Sequence, residues 1–167
     1  MFIGGNTKNK AFNKLAFGEF VQDLSNLVRK NDALLLVSTS RRTTEEQKNI
    51  LKNNLFCTHY LYDWVEAQKS QNIKNPYHAF LQLADIAVMT GDSISMISEA
   101  ITCGKTVYIY KDDEQLTQKH IRFINSIVEK GNAKIFMKDI KSFEKIDNSG
   151  FDELERIKKI LLEDINE

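Results

Sequence analysis

The segment that decides the fold runs from residue 88 to 110 and reads VMTGDSISMISEAITCGKTVYIY. A short apolar run ends in Thr-Gly-Asp-Ser, a helical pattern follows over Ser95–Cys103, and a second apolar run begins after Gly-Lys-Thr. Gly104 stands where a helix commonly ends in a left-handed residue. This order predicts one strand-helix-strand unit of a parallel sheet. The Ser-rich turn at the start of the helix presents unpaired backbone N–H groups, which can hold an anion.

Apolar runs of strand length recur along the chain at intervals typical of βα units. They are Met1–Ile3, Ala33–Val37, Thr58–Tyr62, Ile86–Met89, Val107–Tyr110 and Lys134–Met137. Helical patterns lie between them, such as the apolar stripe from Phe17 to Val28. We therefore predict a doubly wound, Rossmann-like α/β domain, with a mainly parallel six-stranded sheet and helices on both faces.

Four further helices are predicted from capping residues, a helix-opening proline, C-terminal glycines and apolar periodicity. They run from Thr43 or Thr44 to Asn54, from Asn75 to Leu83, from His120 to Lys130, and from Asp152 to Ile165. No repeat or low-complexity linker interrupts this series, so we expect residues 1–167 to form a single domain. Because a strand is predicted at residue 1 with nothing before it, we expect this domain to be a fragment or half of a two-domain protein.

Composition excludes several classes of protein. The chain has 23 Lys or Arg and 23 Asp or Glu residues, so no overall field attracts nucleic acid or an anionic membrane. No apolar run is long enough for an integral membrane segment. Cys57 and Cys103 cannot build a disulfide framework, and no secretory signal is present, so we expect a cytoplasmic protein.

Ligands of a parallel α/β sheet bind beyond the carboxyl ends of its strands. Five loops are predicted at that edge: Gly4–Lys8, Thr39–Thr43, Asp63–Lys74, Thr90–Ser95 and Lys111–Gln115. We select as ligand-binding residues Gly4, Gly5, Asn6, Lys8, Ser40, Arg41, Arg42, Asp92, Ser93, Ser95, Met96 and Glu99. We expect them to face one negatively charged ligand, with no metal ion and no cofactor.

The serines of the quoted segment provide the first argument that this edge of the sheet binds an anion. Ser93 and Ser95 stand at the start of a helix whose positive dipole end points to the loop edge, and Glu99 lies about one turn further on. The alternative is that Asp92 or Ser93 only caps the helix and Glu99 is solvated.

Two adjacent arginines and two adjacent glycines provide the second argument that this edge binds an anion. Arg41 and Arg42 follow a buried strand, where two guanidiniums repel each other unless an anion or an acidic group lies between them. A surface pair beside Glu45–Glu46 is the alternative. Gly4–Gly5 permits a close approach of the backbone to a ligand, although a tight turn explains both glycines equally well.

Several familiar motifs are absent. The Gly-Lys-Thr at 104–106 is not a P-loop, because Glu99 stands where that motif needs a glycine and a strand follows instead of a helix. The chain has neither a G-x-G-x-x-G fingerprint nor a G-x-S-x-G elbow, and its histidines and cysteines lack zinc-site spacing. Four aromatic residues near the third and fourth loops could stack on a base or complete the core: Tyr60, Tyr62, Trp64 and Tyr77.

Four segments between residues 3 and 110 are similar to segments of a known protein family: IGGNTKN, TSRRT, NPY followed by LADIAVMTGDSISMISEA, and GKTVYIY. They resemble the C-terminal half of a family of bacterial and plant proteins known from mitochondrial fission in plants. Bacterial members of that family are labelled nucleoside-diphosphate-sugar epimerases, a label without support here because the glycine fingerprint and a Tyr-x-x-x-Lys pair are missing. The family is similar to glycosyltransferases of the two-domain GT-B type, whose C-terminal half holds a nucleotide-sugar donor.

The resemblance implies roles for the selected residues. Ser93 and Ser95 would contact the donor phosphates, and Glu99 would accept hydrogen bonds from ribose hydroxyls. Gly4–Gly5 and one of Arg41–Arg42 would line the diphosphate. The acceptor site and usually the catalytic base of GT-B enzymes belong to the N-terminal half, which is missing here, so this chain alone is expected to bind a nucleotide sugar without transferring it. The alternative is a non-catalytic protein-interaction module related to the fission factors.

Overall fold

The computed structural model describes residues 1–7, 10–70, 74–138 and 140–148. The elements in chain order are α1 (Lys14–Lys30), β1 (Leu35–Ser38), α2 (Glu45–Asn54), β2 (His59–Tyr62), α3 (Trp64–Lys69), α4 (Tyr77–Leu83), β3 (Ile86–Thr90), α5 (Ile94–Thr102), β4 (Thr106–Tyr110), α6 (Gln118–Glu129) and β5 (Lys134–Ile135). The predicted alternation of strands and helices is confirmed. The predicted helix Asp152–Ile165 lies outside the described residues.

The strands pair in parallel, as predicted, but a six-stranded sheet is not confirmed. The described residues form five strands, β1 and β2 in one sheet and β3, β4 and β5 in another. Phe2 makes only isolated parallel bridges, one to Ser38 and one to Met89. Residues 1–3 are too short to form a ladder with either neighbour, so they connect the two sheets without forming a sixth strand.

The hydrogen bonds of residues 1–3 place this segment between β1 and β3. The Phe2 N–H donates to the Val88 carbonyl at 2.8 Å, and the Ile3 N–H donates to the Ser38 carbonyl at 2.9 Å. The spatial order is therefore β2, β1, residues 1–3, β3, β4, β5. The order of the chain reverses between residues 1–3 and β3, and in open parallel sheets the crevice at such a reversal is where ligands bind.

Local signals explain where the helices begin and end. Thr44 is the N-cap of α2 and forms a capping box with Gln47, as its position before two glutamates indicates. Gly104 and Gly131 end α5 and α6 with φ of 71° and 76°, a conformation that favours glycine. The prediction of a loop from Asp63 was wrong at its start, because the Asp63 carboxylate accepts from the first N–H groups of α3 and caps that short helix.

Helices cover both faces of the strands, as predicted. Alternate residues of β3 face opposite sides, so Val88 packs in the core under α1 while Ala87 and Met89 pack in the core that contains α5 and α6. The same alternation holds in β4. None of the described helices combines the length and the apolarity that are needed to span a membrane.

Truncating a core residue of α1 tests this packing. Leu24 is fully buried, so Leu24→Ala should lower the free energy of unfolding by about 2–5 kcal/mol through lost burial and the cavity left behind. Leu15 lies on the same helix with 82% of its surface exposed, and Leu15→Ala should change stability by less than about 0.5 kcal/mol. Urea unfolding measures both values. Equal effects of the two substitutions would contradict the orientation of α1.

Candidate ligand-binding site

The Gly4–Gly5 turn follows residues 1–3 at the carboxyl edge of the sheet, and neighbouring strand ends hold it on both sides. The Gly4 N–H donates to Thr90 Oγ1 at 2.8 Å, and the Gly5 N–H donates to Asp92 Oδ2 at 2.9 Å. From the side of β1, Ser40 Oγ donates to the Gly4 carbonyl at 3.1 Å. The amides that we expected to face a ligand are therefore bound to the chain's own side chains.

Both glycines are required by close contacts within the protein. A Cβ atom at Gly4 would overlap the Asp92 carboxylate, and one at Gly5 would overlap the Arg42 carbonyl. From a fifth loop, Gln115 Nε2 donates to the Gly5 carbonyl at 2.7 Å. The two glycines thus leave room for other loops of the same chain to lie against the turn.

Asp92 is the centre of this network. Its side chain is fully buried, and Oδ2 also accepts from Arg42 Nη2 at 3.0 Å. The other oxygen, Oδ1, is buried and has no hydrogen-bond partner among the described residues. The alternative that Asp92 or Ser93 only caps the following helix is met in position by Ser93, which is the N-cap residue of α5, but its side chain makes no capping hydrogen bond. Asp92 instead supplies a negative charge where we expected a ligand anion.

A cavity of about 230 Å³ opens beside this network, at the carboxyl ends of residues 1–3 and β1. Its lining residues are Phe2, Ile3, Ser38, Thr39, Ser40, Arg41, Trp64, Asn75, Tyr77, Met96 and Glu99. Four of the selected residues, Ser40, Arg41, Met96 and Glu99, line it together. The cavity therefore combines a cation, a carboxylate and three aromatic rings, those of Phe2, Trp64 and Tyr77.

Glu99 is oriented by two neighbours at the start of α4. The Tyr77 hydroxyl donates to Glu99 Oε2 at 2.9 Å, and His78 Nδ1 lies 3.2 Å from Glu99 Oε1. Burial and the hydrogen bond to Glu99 raise the pKa of Tyr77, so its phenol stays protonated and donates. A carboxylate has about four acceptor positions, so Glu99 can still accept hydrogen bonds from a ligand.

The two arginines have different environments. Arg42 pairs with Asp92, which is the acidic group that relieves repulsion between the guanidiniums. Arg41 is exposed, lines the cavity and makes no ion pair with the described residues. Both arginines are exposed, as the alternative of a surface pair supposed, but among the described residues neither pairs with Glu45 or Glu46, because Glu45 pairs with Lys48 and Glu46 with Lys14.

Besides the four that line the cavity, four of the selected residues form a closed network and the other four belong to neither. Gly4, Gly5, Arg42 and Asp92 form the closed network. Ser93 is half-buried and Ser95 is exposed, and neither is among the residues that line the cavity. Asn6 accepts a hydrogen bond from the Phe12 N–H at 3.3 Å and so shapes its own loop. Lys8 lies outside the described residues.

Trp64, Asn75 and Tyr77 line the cavity although we did not select them. For Trp64 and Tyr77 the sequence left a stacking role and a core role open, and only the tertiary position of α3 and α4 distinguishes these. The Trp64 N–H donates to Thr39 Oγ1 at 2.9 Å, which ties α3 to the end of β1. Tyr62, by contrast, belongs to the core.

The sequence matches a known protein family and two curated relatives. The family model described as mitochondrial fission ELM1 matches residues 1–165. The chain belongs to the mitochondrial fission ELM1 family. Uncharacterized protein RP120 of Rickettsia prowazekii is 34% identical over 162 residues, which cover 96% of this chain and 45% of that protein. Mitochondrial fission protein ELM1 of Arabidopsis thaliana is 40% identical over 62 residues, which cover 37% of this chain and 14% of that protein.

The chain thus spans less than half the length of these curated relatives of the ELM1 family. Among solved structures it is similar to the molybdenum cofactor carrier protein of Chlamydomonas reinhardtii. That likeness has a TM-score of 0.47 at 13% identity and covers 96% of this chain and 98% of the other. A likeness this distant carries no argument about function.

Substitutions of two glycines test the close contacts at the turn. In Gly5→Ala the new Cβ would meet the Arg42 carbonyl, so we expect a loss of about 1–3 kcal/mol in the free energy of unfolding, as for overpacking elsewhere. Gly18→Ala is the matched control, because its Cβ would meet only Ile50 at 3.8 Å within α1. It should stabilise the protein by about 0.5–1 kcal/mol through helix propensity. Stabilisation by Gly5→Ala would contradict the described turn.

Proposed function

We propose that this ELM1-family chain binds a nucleoside diphosphate or nucleotide sugar, as the donor-holding half of a GT-B glycosyltransferase-like protein. The observation that supports this most is the cavity beside the reversal of strand order, between the loop after β1 and helix α5, where Arg41, Glu99 and Trp64 line the same space. Such a reversal is the usual ligand position in open parallel sheets.

Each group of the cavity suits one part of such a ligand. Arg41 is an exposed guanidinium without an ion-pair partner among the described residues, and guanidiniums bind phosphate oxygens in a bidentate manner. Glu99 can accept from ribose hydroxyls while Tyr77 holds it. Trp64 offers an aromatic surface on which a base can stack. In this proposal phosphate recognition needs no metal ion.

The size of the cavity limits what this chain does by itself. Sites for drug-sized ligands usually measure about 300–1,000 Å³, and 230 Å³ is below that range. We therefore propose that the cavity holds one part of the ligand, and that the rest contacts a further domain of a longer protein. Any glycosyl transfer then belongs to that longer protein, since its acceptor site and catalytic base would lie in the other domain.

A protein-interaction module is the second candidate, and Asp92 favours it. This carboxylate occupies the N–H of Gly5 and the guanidinium of Arg42, which removes two of the donors that a diphosphate would use. Under this alternative the chain retains the fold but no longer binds the ligand. The double variant Arg41→Ala, Glu99→Ala would then leave the binding of a protein partner unchanged, and loss of that binding would count against the alternative.

Titration with UDP-sugars and GDP-sugars tests the proposed function directly. Amide NMR signals of Ser40, Arg41 and Glu99 should shift with saturation, because these residues line the cavity. Signals on α6, such as that of Arg122, should not move. If millimolar nucleotide sugar leaves the cavity signals unchanged, both in this chain and in a longer protein that supplies the other domain, the proposal is wrong.

Two substitutions assign roles within the cavity. Arg41→Ala and Glu99→Gln should each weaken nucleotide-sugar binding by roughly ten- to a hundredfold, because a charge-assisted hydrogen bond contributes roughly 1.5–3 kcal/mol. Arg122→Ala removes an exposed guanidinium on α6 that does not line the cavity and is the matched control. Calorimetry gives the dissociation constants. An equal loss in all three variants would indicate non-specific attraction of the anion.

A further inference from the structure

A second and larger cavity, of about 610 Å³, lies at the opposite edge of the sheet. We call it the amino-edge groove, because the first residues of β1 and β3 line it. Its walls include Leu24 and Val28 of α1, Leu83 of α4, Leu34, Ile86 and Phe143. Leu34 and Leu83 are 61% and 73% exposed, although both are large apolar residues. An apolar surface of this kind usually has a partner.

The end of the described chain lies at this edge. Asn148 Nδ2 donates to the Lys105 carbonyl at 2.7 Å, and the Ile146 N–H donates to Thr106 Oγ1 at 3.0 Å. Thr106 is the first residue of β4 and lies opposite Ile86 in the parallel register. Asn148 also bonds Asn132, just before β5, so the described chain ends at the starts of β4 and β5. β4 is the neighbour of β3, whose first residue, Ile86, lines the groove.

The sequence beyond that point has an apolar stripe of matching character. Residues 151–167 lie outside the described residues, and their pattern predicts a helix over Asp152–Ile165. Leu154, Ile157, Leu161 and Ile165 are spaced three and four residues apart, so they share one face of that helix. A helix of this length measures about 21 Å. Lys158 borders the stripe, and Asp85 is the one ionisable side chain among the described residues that line the groove.

We propose that the segment 151–167 of this chain binds in the amino-edge groove, with the stripe of Leu154 to Ile165 against Leu34 and Leu83. The groove lies at the edge opposite the candidate ligand site, so this inference does not depend on the proposed function. The segment covers apolar surface at the amino ends of the strands and leaves the carboxyl ends free for a ligand.

Disulfide trapping in the full chain tests the contact. In a Cys103→Ser background, which removes the exposed native thiol, Leu83→Cys is combined with Leu161→Cys on the predicted apolar face. The matched control combines Leu83→Cys with Lys159→Cys, two residues away on the opposite face of the helix. We expect an intramolecular disulfide in the first pair, formed several-fold faster than in the control. Equal rates for the two pairs, or a disulfide only between two copies, would overturn the proposal.

A second measurement keeps the test independent of cysteine geometry. The double variant Ile157→Asp, Leu161→Asp should bind a hydrophobic dye several-fold more strongly than the unchanged chain, and the amide signals of Leu34 and Leu83 should shift. Lys159→Asp changes charge on the polar face and should leave both readouts unchanged. If the double variant matches the unchanged chain in dye binding and in these signals, the segment does not occupy the groove and the proposal is wrong, whatever the trapping shows.

Discussion

The rest of the site depends on one buried carboxylate at the reversal of strand order. Asp92 accepts a hydrogen bond from Gly5, 87 residues away in the chain, and from Arg42, 50 residues away. Removing a charge from water is unfavourable unless it is paired and hydrogen-bonded, so the Asp92 carboxylate favours the one arrangement that supplies both donors. It therefore holds the turn after residues 1–3 and the loop after β1 in a fixed relation.

This interaction gives the two neighbouring arginines separate tasks. Arg42 neutralises an internal charge, whereas Arg41 faces the cavity without an ion-pair partner among the described residues. The cavity beside them is correspondingly preorganised, since its walls are the same loops that Asp92, Thr90 and Ser40 hold together. A fixed wall that presents the Arg41 guanidinium and the oriented Glu99 carboxylate reduces the ordering cost of binding a polar ligand.

Local patterns were sufficient to predict most of the fold. Apolar periodicity located α1 and the strands, and Thr44, Gly104 and Gly131 located helix ends, because capping depends on residues adjacent in sequence. The convergence of the loops also followed, since parallel strands bring their carboxyl ends to one edge. The sixth strand did not form, because residues 1–3 are too short for a ladder.

The sequence predicted the site less completely than the fold, because the site depends on contacts between residues far apart in the chain. Whether a Gly-Gly turn approaches a ligand or a side chain of the same protein depends on contacts across the whole chain, and the partner here is Asp92. The same applies to Trp64 and Tyr77, whose positions at the cavity depend on how α3 and α4 pack. The sequence shows which chemical groups reach the edge of the sheet, and only tertiary structure shows which of them pair with one another.

The central claim, which rests on the proposed function, is that the Asp92 carboxylate stays bound to Gly5 and Arg42 while a ligand phosphate binds Arg41. A crystal structure of the chain soaked in UDP tests it most directly. We predict density for the diphosphate next to Arg41 and Ser40, with the Arg42–Asp92 pair and the Gly5 hydrogen bond to Asp92 intact. A phosphate that replaces the Asp92 carboxylate at Gly5 and Arg42, or a nucleotide bound away from this cavity, would contradict the account.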